Sequence, residues 1–452
     1  MNRQHKGLAG PHLVRYGSAK DQKYLVGEFL SSYDQLIINA NIVSHMPGAI
    51  ASFVLQRAKR KPYFIDPQTH AFQHDVSHLL SGSEASKGQI KRSYKKLLRE
   101  YGEPVQSIVG GEHKSILPND FSESPTRKAF CERVLRFQLN TVTHQTESSD
   151  DSKYYEFLKE EEILGTQSLR PSLLVAPYFC LQKSNFSEWM KVNLACAKDA
   201  YSFALKQKIP LAIQLVLSAN LLENEEELLS IAAEYAKLKA DYFLVWVDSF
   251  SEQEASEEDL LAFTRLAEEL GKKAPVVNLY AGYFSVILVH AGKLAGATHS
   301  LEYGEHRPVV PVGGGIPVAK YYVPVLHSRL AFRTALRAVR SLGGLDSIES
   351  FHSNVCDCSQ CKRVITQDPD KNFLAYGKAV LKSGKQFPTT ETSDNCVRHY
   401  MWCKMREFSE DMRLDGVIKQ LRETADTLRR DVGLENTEHC AVWANAVSNL
   451  IG

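Results

Sequence analysis

Short apolar runs, rich in β-branched and aromatic residues, alternate along the chain with longer stretches whose apolar positions recur every three to four residues. LIINANIV (36–43), PYFIDP (62–67), SLLVAPYF (172–179), IPLAIQLVL (209–217), DYFLVWVDSF (241–250), PVVNLY (275–280), GATHSLEY (296–303) and YYVPVL (321–326) read as strands. Helical patterns follow most of them, for example about 48–60, 283–294 and 328–342. Runs that are apolar throughout predict strands buried on both faces, the mark of a parallel sheet. Strand–helix alternation then predicts right-handed crossovers. Eight such units that close on themselves make an α/β fold, a (β/α)8 TIM-like barrel, whose functional residues stand at the strand C-termini. An open doubly wound sheet is the alternative, but no G-x-G-x-x-G follows the first predicted strand.

The pattern divides the chain into an N-terminal extension (1–35), the barrel (36–345), a cysteine-containing subdomain (346–408) and a C-terminal helical segment (409–452). The barrel carries a charged insertion at about 80–165, where HQTESSDDSK reads as a solvated loop, and a charged helical pattern runs over about 404–431. With 44% hydrophobic and 24% charged residues the composition is that of a soluble globular protein. A formal net charge of +1 draws no polyanion by its overall field, so contact with nucleic acid must come from local basic patches. The sequence has no apolar run of about 18 residues and no apolar core near its N-terminus, so neither a membrane span nor a secretory signal is expected.

Nine cysteines, an odd number, include three in VCDCSQCKR (355–363): Cys356, Cys358 and Cys361. This argues for a reducing, cytoplasmic setting and for metal rather than disulfides. C-x-C-x-x-C brings three soft thiolates to one ion, and a structural zinc site closes with a fourth ligand. Three unligated thiols on a turn would instead invite oxidation. Candidates for the fourth ligand lie in DNCVRHYMWCKMREF (394–408): Cys396, His399 and Cys403, of which one suffices.

These residues resemble the zinc site of the tRNA-guanine transglycosylase family. That pattern is C-x-C-x-x-C followed by a ligand His that opens a helix reading H-N-x-x-Y-x-x-x-x-M-R-x-I. Tyr400, Met405, Arg406 and Phe408 match the helix, and in this register the His position falls on Cys396. The resemblance therefore implies a structural Zn2+ held by Cys356, Cys358, Cys361 and Cys396, with His399 as the alternative. It spans most of 36–408 and implies a barrel with a zinc-binding subdomain inserted late in the chain. It further implies a pentosyltransferase that replaces guanine in nucleic acid by a 7-deazaguanine through a carboxylate-linked covalent intermediate.

FIDPQTHAFQ (64–73) resembles the family's T-D-S-G-G-F-Q motif, so Asp66 becomes the first catalytic candidate and Gln73 a substrate contact; the glycine pair is absent. GATHSLEYGEHRP (296–308) stands where the family carries its nucleophilic Asp; Glu302, with Glu305 behind it, is the nearest carboxylate. Asp248, ending VWVDSF, could replace a lost carboxylate. VAPYFC (175–180) puts Tyr178 where the family has a base-binding Asp, and Gln214 resembles its amide-reading Gln. Read alone, Asp66 and Asp248 equally suit turns or helix caps, Glu302 and Glu305 a solvated loop, and GGGIP (313–317) a mobile loop.

Arg329, Arg333, Arg337 and Arg340 share one face of a predicted helix, and Lys87, Lys91, Arg92, Lys95, Lys96 and Arg99 form a second basic stretch. Both are expected to track phosphates of DNA or tRNA. Altered base and nucleophile motifs favour the family's DNA-modifying branch over a divergent tRNA enzyme. The missing Asp residues equally suit a non-catalytic accessory subunit, with partner proteins or a second copy of the chain.

Overall fold

The computed structural model describes residues 7–82, 86–147, 170–301, 305–310, 318–382 and 384–451. Its main sheet contains β1 (His12–Tyr16), β2 (Gln35–Asn39), β3 (Tyr63–Asp66), β4 (Leu174–Val175), β5 (Cys180–Leu181), β6 (Leu211–Ser218), β7 (Tyr242–Asp248), β8 (Val276–Asn278) and β9 (Gly296–Ser300). Hydrogen-bonded neighbours run β3-β2-β1-β9-β8-β7-β6-β4, with β5 also on β6, and every pairing is parallel. β4 and β5 lie in succession along β6, Leu174 opposite Leu211 and Cys180 opposite Val216, so together they form one interrupted stave. The remaining gap is bridged where the Ser172 amide donates to the Tyr63 carbonyl at 2.8 Å. The result is a nearly closed eight-stave parallel barrel.

Alternation along each strand separates two apolar layers. Leu13, Ile37, Phe64, Ala212, Val216, Leu244, Trp246 and Val277 fill the interior. Val14, Ile38, Ile65, Leu215 and Val245 face outward against the helices. Gly296 permits the β9–β1 contact, since a Cβ there would lie 2.9 Å from a Leu13 methyl and 3.0 Å from the Pro11 carbonyl oxygen.

Two assignments change. HLVRY, inside the stretch assigned as an extension, is barrel strand β1, whereas 321–326 does not join the barrel. Lys320–Val323 (β10) instead pairs antiparallel with Ser328–Ala331 (β11), and the helix expected from 328 begins at Phe332. Five buried residues suffice for a stave when both neighbours are in place, and so short a run carries little periodicity of its own. The 80–165 insertion holds helices Arg92–Tyr101 and Ser124–Glu147, packed on each other and on the barrel; residues 148–169, with most of HQTESSDDSK, lie outside the described residues. The pattern at 404–431 divides into helices Thr390–Ser409 and Leu414–Val432. No described helix is long and apolar enough to cross a membrane.

Candidate metal centre and barrel mouth

The helix Ser359–Val364 starts at Cys358, whose sulfur accepts from the Cys361 amide at 3.4 Å, while the Cys358 amide donates to the Cys356 sulfur at 3.5 Å. This tight turn aims three sulfurs at one point. Helix Thr390–Ser409, capped by the Thr389 side chain, brings His399 to the same point. His399 Nδ1 lies 3.7, 3.4 and 3.3 Å from the sulfurs of Cys356, Cys358 and Cys361. A tetrahedral ion with metal–sulfur distances of about 2.3 Å and a metal–nitrogen distance of about 2.0 Å requires about 3.5 Å between N and S. All four ligand atoms lie within 4.8 Å of one another and all four residues are buried.

His399 Nε2 donates to the Tyr322 carbonyl at 2.7 Å, which orients the ring so that Nδ1 faces the sulfurs. The Tyr321 ring stacks on the imidazole at 4.3 Å. Burial opposes a positive charge on His399, but Cys356 and Cys358 beside it outweigh that and push its pKa up to about 10, so a metal bound here would take the place of the Nδ1 proton. The Cys3His cluster therefore fits a metal ion.

The fourth ligand is His399 rather than Cys396. The Cys396 sulfur turns to the Tyr376 carbonyl at 3.7 Å, because helix Thr390–Ser409 presents position 399, not 396, to the cysteine turn. Cys403, one turn on, lies beside the imidazole, 3.7 Å from Nδ1.

The same helix docks the subdomain on the barrel through a buried charge cluster. Lys404 Nζ stands 2.9 Å from Glu305 and 3.0 Å from Glu407, and His327 Nδ1 stands 2.8 Å from Glu407, which also accepts from the Tyr322 hydroxyl. Burial opposes ionisation of Glu407, but Lys404 and His327 outweigh it and hold its pKa at about 2. A carboxyl depressed in this way stabilises the fold above its unfolded value of about 4.3, and that stability is lost as pH falls through the folded value. Urea stability is therefore expected to drop by about 3 kcal/mol between pH 5 and pH 2 through this group. Glu407→Gln should remove that part of the slope; a slope identical in the variant would refute the assignment.

Beyond the C-terminal ends of the parallel strands, where the chain leaves β9, lies the barrel mouth. Asp66 ends β3 and is 1% exposed. Its Oδ2 accepts from Arg15 Nη1 at 2.8 Å, and its Oδ1 accepts from the Tyr178 hydroxyl at 2.6 Å and the Gln68 amide at 3.1 Å. The same Arg15 nitrogen donates to Asn39 Oδ1 at 2.7 Å. Burial opposes ionisation of Asp66, yet Arg15, His70 and the Tyr178 hydroxyl hold its carboxyl below the usual range. His70 stacks on Tyr178 and meets the Trp246 ring edge-on. Asp248, ending β7, accepts from the Val309 amide at 2.7 Å, and Trp246 Nε1 donates to the Arg307 carbonyl at 3.1 Å. Residues 305–310 therefore cross the mouth.

The structure thus joins Asp66 with Tyr178 and sets Asp248 at the rim. Gln214 is buried on the interior face of β6. Gln73 is engaged with both backbone groups of Cys180 and serves the scaffold. Glu302 and GGGIP lie outside the described residues. Arg329 leaves the predicted stripe: it sits in β11, donates to the carbonyls of Ser300 and Leu301, and stacks 3.4 Å over the Tyr400 ring. Arg333, Arg337 and Arg340 are exposed on helix Phe332–Ser341. Sequence reasoning missed Arg15, Asn39 and His70; a lone charge inside the apolar run HLVRY was the available signal for the first.

A cleft of about 1330 Å³ separates the barrel face from the metal-binding subdomain. Lys20, Lys23, Arg57, Lys320, Lys382 and Lys385 are among the residues that line it. Three of its carboxylates are already engaged: Asp394 by Lys23, Glu305 by Lys404, and Glu252 by the Ser285 amide and hydroxyl.

No family model matches the chain. Among curated proteins, it is similar to the Protein FdhE homolog of Serratia proteamaculans (strain 568), with 28% identity over 149 residues. The match covers 30% of this chain and 41% of that relative, so the chain spans less than half of its length.

Proposed function

We propose that this chain is a zinc-stabilised pentosyltransferase that replaces guanine in nucleic acid, DNA by preference, with a 7-deazaguanine. The observation that carries this reading is the Asp66–Arg15–Tyr178 constellation at the C-terminal end of a parallel barrel, in a chain that also carries a Cys3His centre late in its sequence. Zinc suits three thiolates and one imidazole, and a closed four-ligand site of this kind is structural: it shapes the subdomain and leaves the chemistry to carboxylates.

Exchange at a sugar C1′ needs two carboxylates in unlike environments. Asp66, held ionised deep in the mouth, suits attack on C1′. Asp248, partly exposed at the rim, suits proton transfer between base and solvent. The lysine-lined cleft, which reaches Glu305 and His306 at the edge of the mouth, suits a phosphate backbone.

A non-catalytic nucleic-acid-binding subunit is the second reading, favoured by one observation: both Asp66 oxygens already have partners beneath residues 305–310. Incubation with radiolabelled guanine or 7-deazaguanine, offering DNA and tRNA separately, tests both. Label is expected in DNA and absent with Asp66→Asn. Label in tRNA alone would reassign the polymer. No label in either, with metal bound and nucleic acid retained, would establish the binding subunit.

A further inference from the structure

Arg15 uses one nitrogen for two partners. Nη1 serves both Asp66 and Asn39, while Nε and Nη2 are buried and have no hydrogen-bond partner among the described residues. Those two nitrogens share one edge of the planar guanidinium, the edge that presents two parallel N–H groups. Leaving buried donors unsatisfied is costly, and natural interiors rarely do so. The residue is 1% exposed, so bulk water does not serve these groups.

The surroundings describe what would fit. The guanidinium lies over the Tyr280 ring at 4.7 Å. Tyr280 packs on Trp246 at 4.8 Å, and Trp246 meets His70 at 5.0 Å. An aromatic wall beside a planar donor edge favours a flat heterocycle. Gln214, with both amide atoms unpartnered, and Thr298, with its hydroxyl unpartnered, are buried on the same interior face of the barrel. Strand alternation puts them there: the neighbours of Gln214, Ala212 and Val216, line the interior, while His299, next to Thr298, faces out toward His12.

Charge narrows the choice. Asp66 already occupies the Nη1 corner of the same guanidinium. A second anion on the free edge would sit within a few ångströms of that carboxylate in a poorly polarisable interior, where like charges repel strongly. A neutral group with two adjacent acceptors escapes this penalty. Arg307, with Nη1 3.3 Å from the Tyr280 hydroxyl, adds a second cation nearby, so an oxyanion is the competing ligand to be tested.

We infer that the Nε–Nη2 edge of Arg15 reads two adjacent acceptors on a planar base: the carbonyl oxygen and neighbouring ring nitrogen of guanine. The inference rests on the base-exchange reading and adds to it a direction. Guanine offers both acceptors. A 7-deazaguanine has carbon in place of that ring nitrogen and offers only the carbonyl. The edge therefore grips the outgoing base and holds the incoming one less tightly, so the mouth discriminates between the two by Arg15 alone.

Equilibrium dialysis of the full-length, metal-loaded protein with radiolabelled guanine, competed by 7-deazaguanine or by inorganic phosphate, measures this. A good bidentate arginine–purine contact is worth roughly ten- to hundredfold in discrimination. Guanine is therefore expected to bind about tenfold or more tightly than 7-deazaguanine. Arg15→Lys keeps the charge beside Asp66 but lacks the two-donor edge, and it should bring the two affinities together.

Equal affinities in the native protein, or a preference that survives Arg15→Lys, would overturn the assignment. Displacement of guanine by millimolar phosphate would overturn it in favour of an oxyanion site. The native guanine preference needs no variant, so misfolding of Arg15→Lys does not block the test. Exchange with equal binding would sink this inference alone. Preferential guanine binding without exchange into any polymer would sink the base-exchange reading alone.

Discussion

His399→Ala is expected to release the bound metal, whereas Cys396→Ala keeps it. Structural zinc contributes about 10–16 kcal/mol of binding energy to a small site, so the loss of one ligand in four costs on the order of 3 kcal/mol, about a hundredfold in affinity. After dialysis against a mild chelator, elemental analysis should find near-stoichiometric metal in the native protein and in Cys396→Ala, and little in His399→Ala or Cys361→Ala. The effect should reach further than the site. His399 stands on the helix that carries Lys404 and Glu407, so loss of the metal loosens the charge cluster docking the subdomain on the barrel. Thermal denaturation should show that loosening as an early, separate transition. Full metal in His399→Ala together with loss in Cys396→Ala would invert the ligand assignment.

Asp66→Leu is expected to destabilise the fold by about 3–5 kcal/mol, the range found when one partner of a buried ion pair is removed. The substitution keeps the approximate shape but strands the Arg15 guanidinium, whose side chain is 1% exposed. Arg15→Met should cost a similar amount by stranding the carboxylate. The double variant should cost less than the sum of the singles, since an apolar pair leaves no buried charge. Guanidinium denaturation of the four proteins gives the coupling directly, and strict additivity would refute the pair. The pH dependence has a definite sign. The Asp66 carboxyl is depressed, so the pair stabilises the fold above the ordinary aspartate range and loses that contribution as pH falls through the folded value. Stability should therefore fall on acidification in the native protein and fall less in the double variant.

The metal turn was legible because its chemistry is local. Cys356, Cys358 and Cys361 lie so close together that any compact turn brings their sulfurs together. The fourth ligand was not local. Cys396, His399 and Cys403 all sit on one helix, and spacing cannot say which faces the turn until the helix is docked. Docking turns position 399, not 396, toward the cysteines, and the Tyr322 carbonyl behind the imidazole fixes its orientation.

The strands divide in the same way. Continuous apolar runs such as AIQLVL and FLVWV announce burial on both faces wherever they lie, and β6 and β7 formed as expected. HLVRY is too short and too polar at Arg15 to announce anything, and it becomes a stave because β2 and β9 flank it. YYVPVL has the composition of a stave, but by that point β9 has closed against β1 and no open edge remains between them. Arg329 followed it out of the expected helical stripe.

By itself, then, the sequence determined the alternation of strand and helix, the double-sided burial that makes the sheet parallel, and the three thiols of the metal turn. Each follows from neighbouring residues acting through backbone periodicity or short-range reach. Tertiary structure alone decided which strand closes the barrel, which helix position completes the metal site, and that Asp66 meets Arg15 and Tyr178 from 51 and 112 residues away. Those outcomes depend on the docking of distant elements, where packing and the need to neutralise buried charge select among partners that sequence spacing leaves equivalent.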